Sequence, residues 1–149
     1  MTYLDSSAIV KRYVAEKGTL YVRHLFSRHK PVATSQVAYF EIHSALARLR
    51  RENLFSASQY TAACKSFDAE FERFNVLNLS NEVFAISRRL AAKHILKALD
   101  LIHLASAVHL YGRFGTLLSF AGADRQLLRA AEAEGLRVVD VETVAPQHA

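Results

Sequence analysis

A single cysteine, Cys64, stands in 149 residues, so no internal disulfide can form. That excludes a disulfide-framed secreted module and suits a reducing compartment. With no CxxC pair and no Cys/His cluster, a structural zinc site has no ligands. Long apolar runs are missing as well: none approaches the roughly 18–20 residues that span a bilayer, so no membrane association is expected. The start, Met1-Thr2-Tyr3-Leu4-Asp5, lacks the basic region and apolar core of a signal peptide, and the expected location is the cytoplasm. Glycine and proline are scarce, five and two, and no repeat, low-complexity tract or linker interrupts the chain. What is present is globular: 51% hydrophobic and 22% charged, at a length typical of one domain. Residues 1–149 therefore read as a single domain, with Val144 to Ala149 frayed. The net charge of +5 favours polyanionic partners, though a basic surface also serves solubility alone.

Short apolar runs alternate with helical patterns. Strands are expected at Thr2–Leu4, Val32–Thr34, Val76–Leu79, Leu117–Phe120 and Arg137–Val139. Between them the sequence predicts helices over Ser6–Ala15, Thr19–His29, from a Ser35 cap to Arg51, from Ser56 to about Phe74, from a Ser80 cap to about Ile95, over Leu99–Tyr111 and over Asp124–Glu134. The Ser56-Ala57-Ser58-Gln59 segment is a capping box, and Tyr60, Ala63, Cys64, Phe67, Phe71 and Phe74 form an apolar stripe at helical spacing. Strands separated by helices imply βαβ units, an α/β class and a mostly parallel sheet of about five strands covered on both faces. Sites in such sheets form beyond the carboxyl ends of the strands.

Four acids stand out. Asp5 ends the first strand and Asp124 follows the fourth, so both lie near that rim; each also suits a plain helix N-cap. Glu41 shares a helix face with Ala38 and Ala45. Asp100 has Leu96 and Leu104 four residues to either side, in a helix apolar nearly all round. A carboxylate in such a place costs several kcal/mol unless an ion pair, backbone donors or a cation compensates it, and a helix start near Leu99 would also accommodate it. Converging at one rim, these acids form an oxygen-only ligand set, which suits Mg²⁺ or Mn²⁺. Carboxylate clusters holding such ions recur in phosphodiester hydrolysis, and a basic surface around an acidic pocket is coherent with a nuclease.

The segment Tyr3-Leu4-Asp5-Ser6-Ser7-Ala8-Ile9-Val10-Lys11-Arg12-Tyr13 resembles the opening of a PIN domain, more narrowly the VapC-type toxins of bacterial toxin–antitoxin pairs. The resemblance continues through Glu41. It is most specific at Ala98-Leu99-Asp100-Leu101-Ile102-His103-Leu104-Ala105-Ser106-Ala107 and ends with Asp124-Arg125-Gln126-Leu127, Ala130-Ala131 and Gly135-Leu136. It implies a three-layer α/β/α sandwich and a Mg²⁺- or Mn²⁺-dependent endoribonuclease whose products carry 5′-phosphate and 3′-hydroxyl. The metal-site acids it implies are Asp5, Glu41, Asp100 and Asp124, with Ser7 orienting Asp5. The implied partners are RNA, a neutralising antitoxin and a second copy of the chain. The chain departs from the pattern near the fourth acid. Gly122 stands where a hydroxyl residue is common, Ser119 lies five before Asp124, and whether either contributes is open.

Other candidates carry two readings each. His103 shares a face with Asp100 and is read as a packed or hydrogen-bonded histidine rather than a ligand; His43 points away from Glu41. Arg89, Lys93 and Lys97 form a basic ridge, and Arg48, Arg50 and Arg51 a second group; either is a solvated face or a place for RNA phosphates. Lys11 and Arg12 are candidates for the pocket mouth, and Cys64 for the core. The first two helices and the Tyr60–Phe74 helix, with Leu20, Leu25 and Phe26, are read as a groove for an antitoxin segment. Two other functions remain open: a metal-independent HEPN-like ribonuclease, from the Arg89-x4-His94 spacing, and a non-catalytic α/β binding module.

Overall fold

The centre of the protein is β1, Thr2–Leu4, buried throughout and paired in parallel on both sides. The computed structural model describes residues 1–27 and 30–144; the ends expected for the second helix at His29 and for the frayed terminus after Val144 lie outside them. The elements follow as α1 (Ser6–Ile9), α2 (Thr19–Ser27), β2 (Val32–Ser35), α3 (Val37–Arg51), α4 (Ala57–Phe71), β3 (Asn75–Leu77), α5 (Asn81–Ala91), α6 (Ala98–Phe114), β4 (Ser119–Gly122), α7 (Arg125–Ala133) and β5 (Arg137–Asp140). The five strands form one parallel sheet in the order β3-β2-β1-β4-β5. Strands accumulate on one side of β1 and then cross to the other, so the order of strand addition reverses between β1 and β4. A crevice opens at the carboxyl ends of such a pair.

Successive strand residues face opposite sides of a sheet. Tyr3 and Phe120 accordingly stack with ring centroids 5.4 Å apart in a core shared with Leu104, Leu110, Leu127 and Leu136. Their neighbours Leu4 and Ala121 face a second core with Ile9, Val22, Leu25, Ile42, Leu46 and Phe67. Helices α5, α6 and α7 cover the first face and α1 to α4 the second, giving the three layers expected. The α4 stripe packs as its spacing requires, Cys64 included, and the capping box of Ser56 and Gln59 closes both bonds.

Several boundaries differ from the sequence reading. Helix α1 stops at Ile9 and tightens into a 3₁₀ turn, Val10–Arg12. Lys11 there is buried against Glu142 (2.8 Å) and Glu16 (3.3 Å), and Arg12 binds Glu70 (2.8 Å), so neither borders the rim cavity. Ser35 ends β2 instead of capping α3, whose N-cap is Gln36; its hydroxyl still accepts from the Val37 N–H. Strand β4 begins at Ser119, not Leu117, because pairing with β1 sets Thr2 opposite Ser119 and Leu4 opposite Ala121. Ala121 and Gly122 have weak strand propensity, but pairing and burial hold them extended. Leu25 is 1% exposed and Phe26 packs on Phe74, so of the apolar groove expected there only Leu20 faces solvent.

Helix α5 ends at Ala91, and the chain after it is tied to α7 by charge. Arg89 (3.0 Å), Lys93 (2.8 Å) and His94 (2.8 Å) all bind the Glu134 carboxylate. Burial alone would raise that carboxyl, but the three donors override it and hold it at about 2. The folded pKa lies below the unfolded value of 4.5, so this stabilisation is full above about 4.5 and is lost as pH falls through about 2. Glu134→Gln is expected to lower unfolding stability by about 1–2 kcal/mol at neutral pH. The gap from wild type in denaturant titrations should close as pH falls below 4.5.

Candidate active site

Asp5 leaves the end of β1 and caps α1, its Oδ1 accepting from the Ala8 N–H at 2.9 Å. The Ser7 hydroxyl donates to the same carboxylate, 2.7 Å from Oδ1 and 2.9 Å from Oδ2. Ser7 Oγ in turn accepts from the Ala123 N–H at 2.9 Å. The β1–α1 turn is thus fastened to the β4–α7 turn through one hydroxyl. Gly122 completes this junction: a Cβ on it would lie 2.8 Å from Asp5 Oδ2 and 3.1 Å from Oδ1. The residue where a hydroxyl was anticipated is the one that must be bare for Asp5 to lie where it does. Ser119, three residues earlier, sits at the opposite end of β4 beside Thr2. Asp124 caps α7, with Oδ1 accepting from the Leu127 N–H at 2.9 Å.

Glu41 projects from α3 and is held by two donors. Ser6 Oγ donates to Oε1 at 2.7 Å, and His103 Nε2 lies 2.7 Å from the same oxygen. His103 is buried in α6, and its Nδ1 meets the Tyr3 hydroxyl at 2.9 Å. The donor set that satisfies every member has Tyr3 Oη–H donating to Nδ1 and Nε2–H donating to Glu41. The histidine read as a hydrogen-bonded packing residue is therefore the group that aims Glu41. His43 turns away to Asp68 at 2.8 Å. Asp100 lies in the first turn of α6, half-buried, in the helix-start position weighed above.

Asp5, Glu41, Asp100 and Asp124 all line one cavity of about 350 Å³, with Ser6, Ser7, Lys97, Leu99 and His103. Among the described residues, Asp5, Asp100 and Asp124 are in no salt bridge, although Asp5 is only 3% exposed. Burial raises the Asp5 carboxyl, and the Asp100 charge adds to it against His103, Ser7 and Ala8. Burial also raises Asp100, reinforced by Asp124 and Glu41. Burial would likewise raise Glu41, but His103 and Ser6 override it and lower its pKa. Among the described residues no three acids or imidazoles converge tightly enough to form a ready-made ligand set. The donor chemistry nevertheless fits a hard divalent cation: all oxygen, crowded, and short of positive charge.

Sequence reasoning did not name Ser6 or Tyr3 as parts of this site, offered Lys97 only as part of a basic ridge, and left the contribution of Gly122 open. A signal for the first two was available, since a histidine in an apolar helix needs buried partners. Nothing local marks Gly122, whose constraint comes from a strand more than a hundred residues away.

The PIN domain family model matches residues 2–132. The chain belongs to the PIN-domain family. It is 30% identical over 142 residues to Ribonuclease VapC45 and to Ribonuclease VapC49 of Mycobacterium tuberculosis, covering 95% of this chain and 96% of each relative. Its fold is similar to that of FitAcB from Neisseria gonorrhoeae, with a TM-score of 0.72 at 16% identity over 97% of this chain and 100% of that one. A toxin–antitoxin complex from Klebsiella pneumoniae matches at a TM-score of 0.67 and 15% identity, over 97% and 100% of the two chains.

Two outcomes follow from this geometry. Gly122→Ala should force the Asp5 carboxylate aside and lower stability by about 1–3 kcal/mol, read by thermal unfolding. Asp5→Asn should act the other way in protein freed of divalent ions. The folded pKa of Asp5 exceeds its unfolded value of 3.8, so ionising it costs stability, a cost absent below 3.8 and growing as pH rises through the folded pKa. The variant should melt above wild type at neutral pH, and the difference should shrink to nothing towards pH 4.

Proposed function

We propose that the protein is a divalent-metal-dependent endoribonuclease and the toxin of a toxin–antitoxin pair. The observation that carries this reading is the meeting of four carboxylates, three of them in no salt bridge among the described residues, in one cavity at the switch point of the sheet. The relatives named ribonucleases match across nearly the whole chain, and the neighbouring structures include a toxin–antitoxin complex.

Asp5, Glu41, Asp100 and Asp124 would hold Mg²⁺ or Mn²⁺. Such an ion supplies charge neutralisation on the phosphate and acidity to water. The protein's part is positioning. Ser7 and the Ala8 N–H fix Asp5. Ser6 and His103 fix Glu41 by one oxygen, leaving Oε2 without a hydrogen-bond partner among the described residues. Lys97, at the cavity wall, places a positive charge where a phosphodiester would enter. An antitoxin and a second copy of the chain are the protein partners this reading entails. Action in the cytoplasm is part of this reading; among the described residues no helix is long and apolar enough to cross a membrane.

The metal-independent alternative finds no support: Arg89 and His94 are both bound to Glu134, and a five-stranded sheet is not the all-helical HEPN architecture. A non-catalytic module is separated by assay. Wild type should cleave RNA with Mg²⁺ or Mn²⁺ and stop on chelation. Asp5→Asn should lose roughly a hundredfold or more while keeping its fold, because Asn caps a helix about as well as Asp. Cleavage that persists in chelator, or a fully active variant, would refute the mechanism.

A further inference from the structure

A second cavity, of about 560 Å³, adjoins the carboxylate cavity and shares Glu41 and Leu99 with it. Its floor is one stripe of α3. Val37, Glu41, Ser44, Arg48 and Arg51 recur at helical spacing, so Arg48 lies two turns, roughly 10.5 Å, along the axis from Glu41. Leu99, from the first turn of α6, forms the facing wall.

Two features of this cavity have no structural account. Arg48 and Arg51 are exposed one helical turn apart on the cavity floor, and among the described residues neither is in a salt bridge. Phe40, at the rim, is 70% exposed, its ring edge-on to Tyr39 with centroids 5.9 Å apart. An unmatched pair of guanidiniums calls for anions, and a supported, exposed ring calls for a flat apolar partner. A nucleotide offers both in one repeating unit.

We propose that the cavity between α3 and the start of α6 is a nucleotide subsite, in which Phe40 stacks on an unpaired base beside the scissile phosphodiester and Arg48 and Arg51 hold the phosphates that follow. The inference rests on the ribonuclease reading. It gives that reading a direction: the strand runs from the carboxylates along α3 towards its C-terminal end. It also resolves an electrostatic difficulty. Clustered carboxylates repel a polyanion, and the two arginines next door add attraction to that of Lys97 at the cavity wall. The substrate class is single-stranded or looped RNA, because a base in a duplex does not present its face to a side chain.

The test uses a fluorescein-labelled single-stranded RNA decamer. Affinity is measured by anisotropy in the Asp5→Asn background, and KM in the otherwise unaltered enzyme. Phe40→Ala should weaken binding and raise KM roughly tenfold or more, and Phe40→Trp should restore both. The double variant Arg48→Gln/Arg51→Gln should weaken binding and flatten the salt dependence of log K by about 1.4. Phe40→Ala should leave that slope alone. Circular dichroism melts verify folding. If these variants bind RNA like wild type while wild type still cleaves it, the subsite is wrong and the ribonuclease reading stands. If they keep RNA affinity but lose self-association or affinity for a protein partner, the face belongs to that partner and the subsite is equally wrong. If wild type binds no RNA, the ribonuclease reading falls and the subsite with it.

Discussion

The parallel pairing of β1 with β4 is the constraint on which the rest depends. It sets Leu4 beside Ala121, so the next residue of each strand, Asp5 and Gly122, must share the same few ångströms. Everything at the rim follows from that contact. The carboxylate fits because its neighbour has no side chain, one serine hydroxyl fastens the two turns together, and Asp124 begins its helix on the other side of the crevice. The fold does not merely carry the acids; the register of its central pair decides where the first of them lies.

Around that junction the protein divides its ionisable groups into two kinds. Glu134, with three basic partners, is fully compensated and strengthens the fold at neutral pH. Asp5 and Asp100, raised by burial and by like charge, weaken it. The chain has 19 basic residues against 14 acidic ones, yet places its least compensated acids together in the crevice. Such an arrangement lowers the stability of the chain, and a cation held there, as proposed, would offset what the carboxylates give up. Glu41 stands between the two kinds, since His103 and Ser6 lower its pKa while fixing its direction.

Much of the architecture was legible because it is written locally. Caps at Ser56, Ser80 and Asp124, the aromatic stripe of α4 and the alternation of short apolar runs with helices fix the order of elements and the sandwich. The four acids were legible as charges in apolar surroundings, and their meeting in one cavity follows from the strand-end rule together with the order of the sheet. The rest was hidden for a common reason. The burial of Lys11 depends on Glu142, the aim of Glu41 on His103 and Tyr3, and the requirement at Gly122 on Asp5. Each is a contact between residues distant in the chain, which no spacing or propensity expresses. Local chemistry also misled where tertiary pairing overrode it: Ala121 and Gly122 fell outside the expected strand and belong to it, and Leu25 read as surface and is core.

The hydroxyl of Ser7, bound on one side to Asp5 and on the other to Ala123, ties the timing of activity to the making of the chain. Its two partners enter the protein 118 positions apart in sequence, so the bridge cannot close before Ala123 has been made. A ribosome that has released the chain as far as α3 has released Asp5 and Glu41 but not the strand that seats the first. Until the segment from Ser119 to Asp124 emerges and inserts beside β1, the crevice lacks Asp124 and the junction that seats Asp5. A product that stops short of it holds three of the four acids and none of the fastening between the two turns.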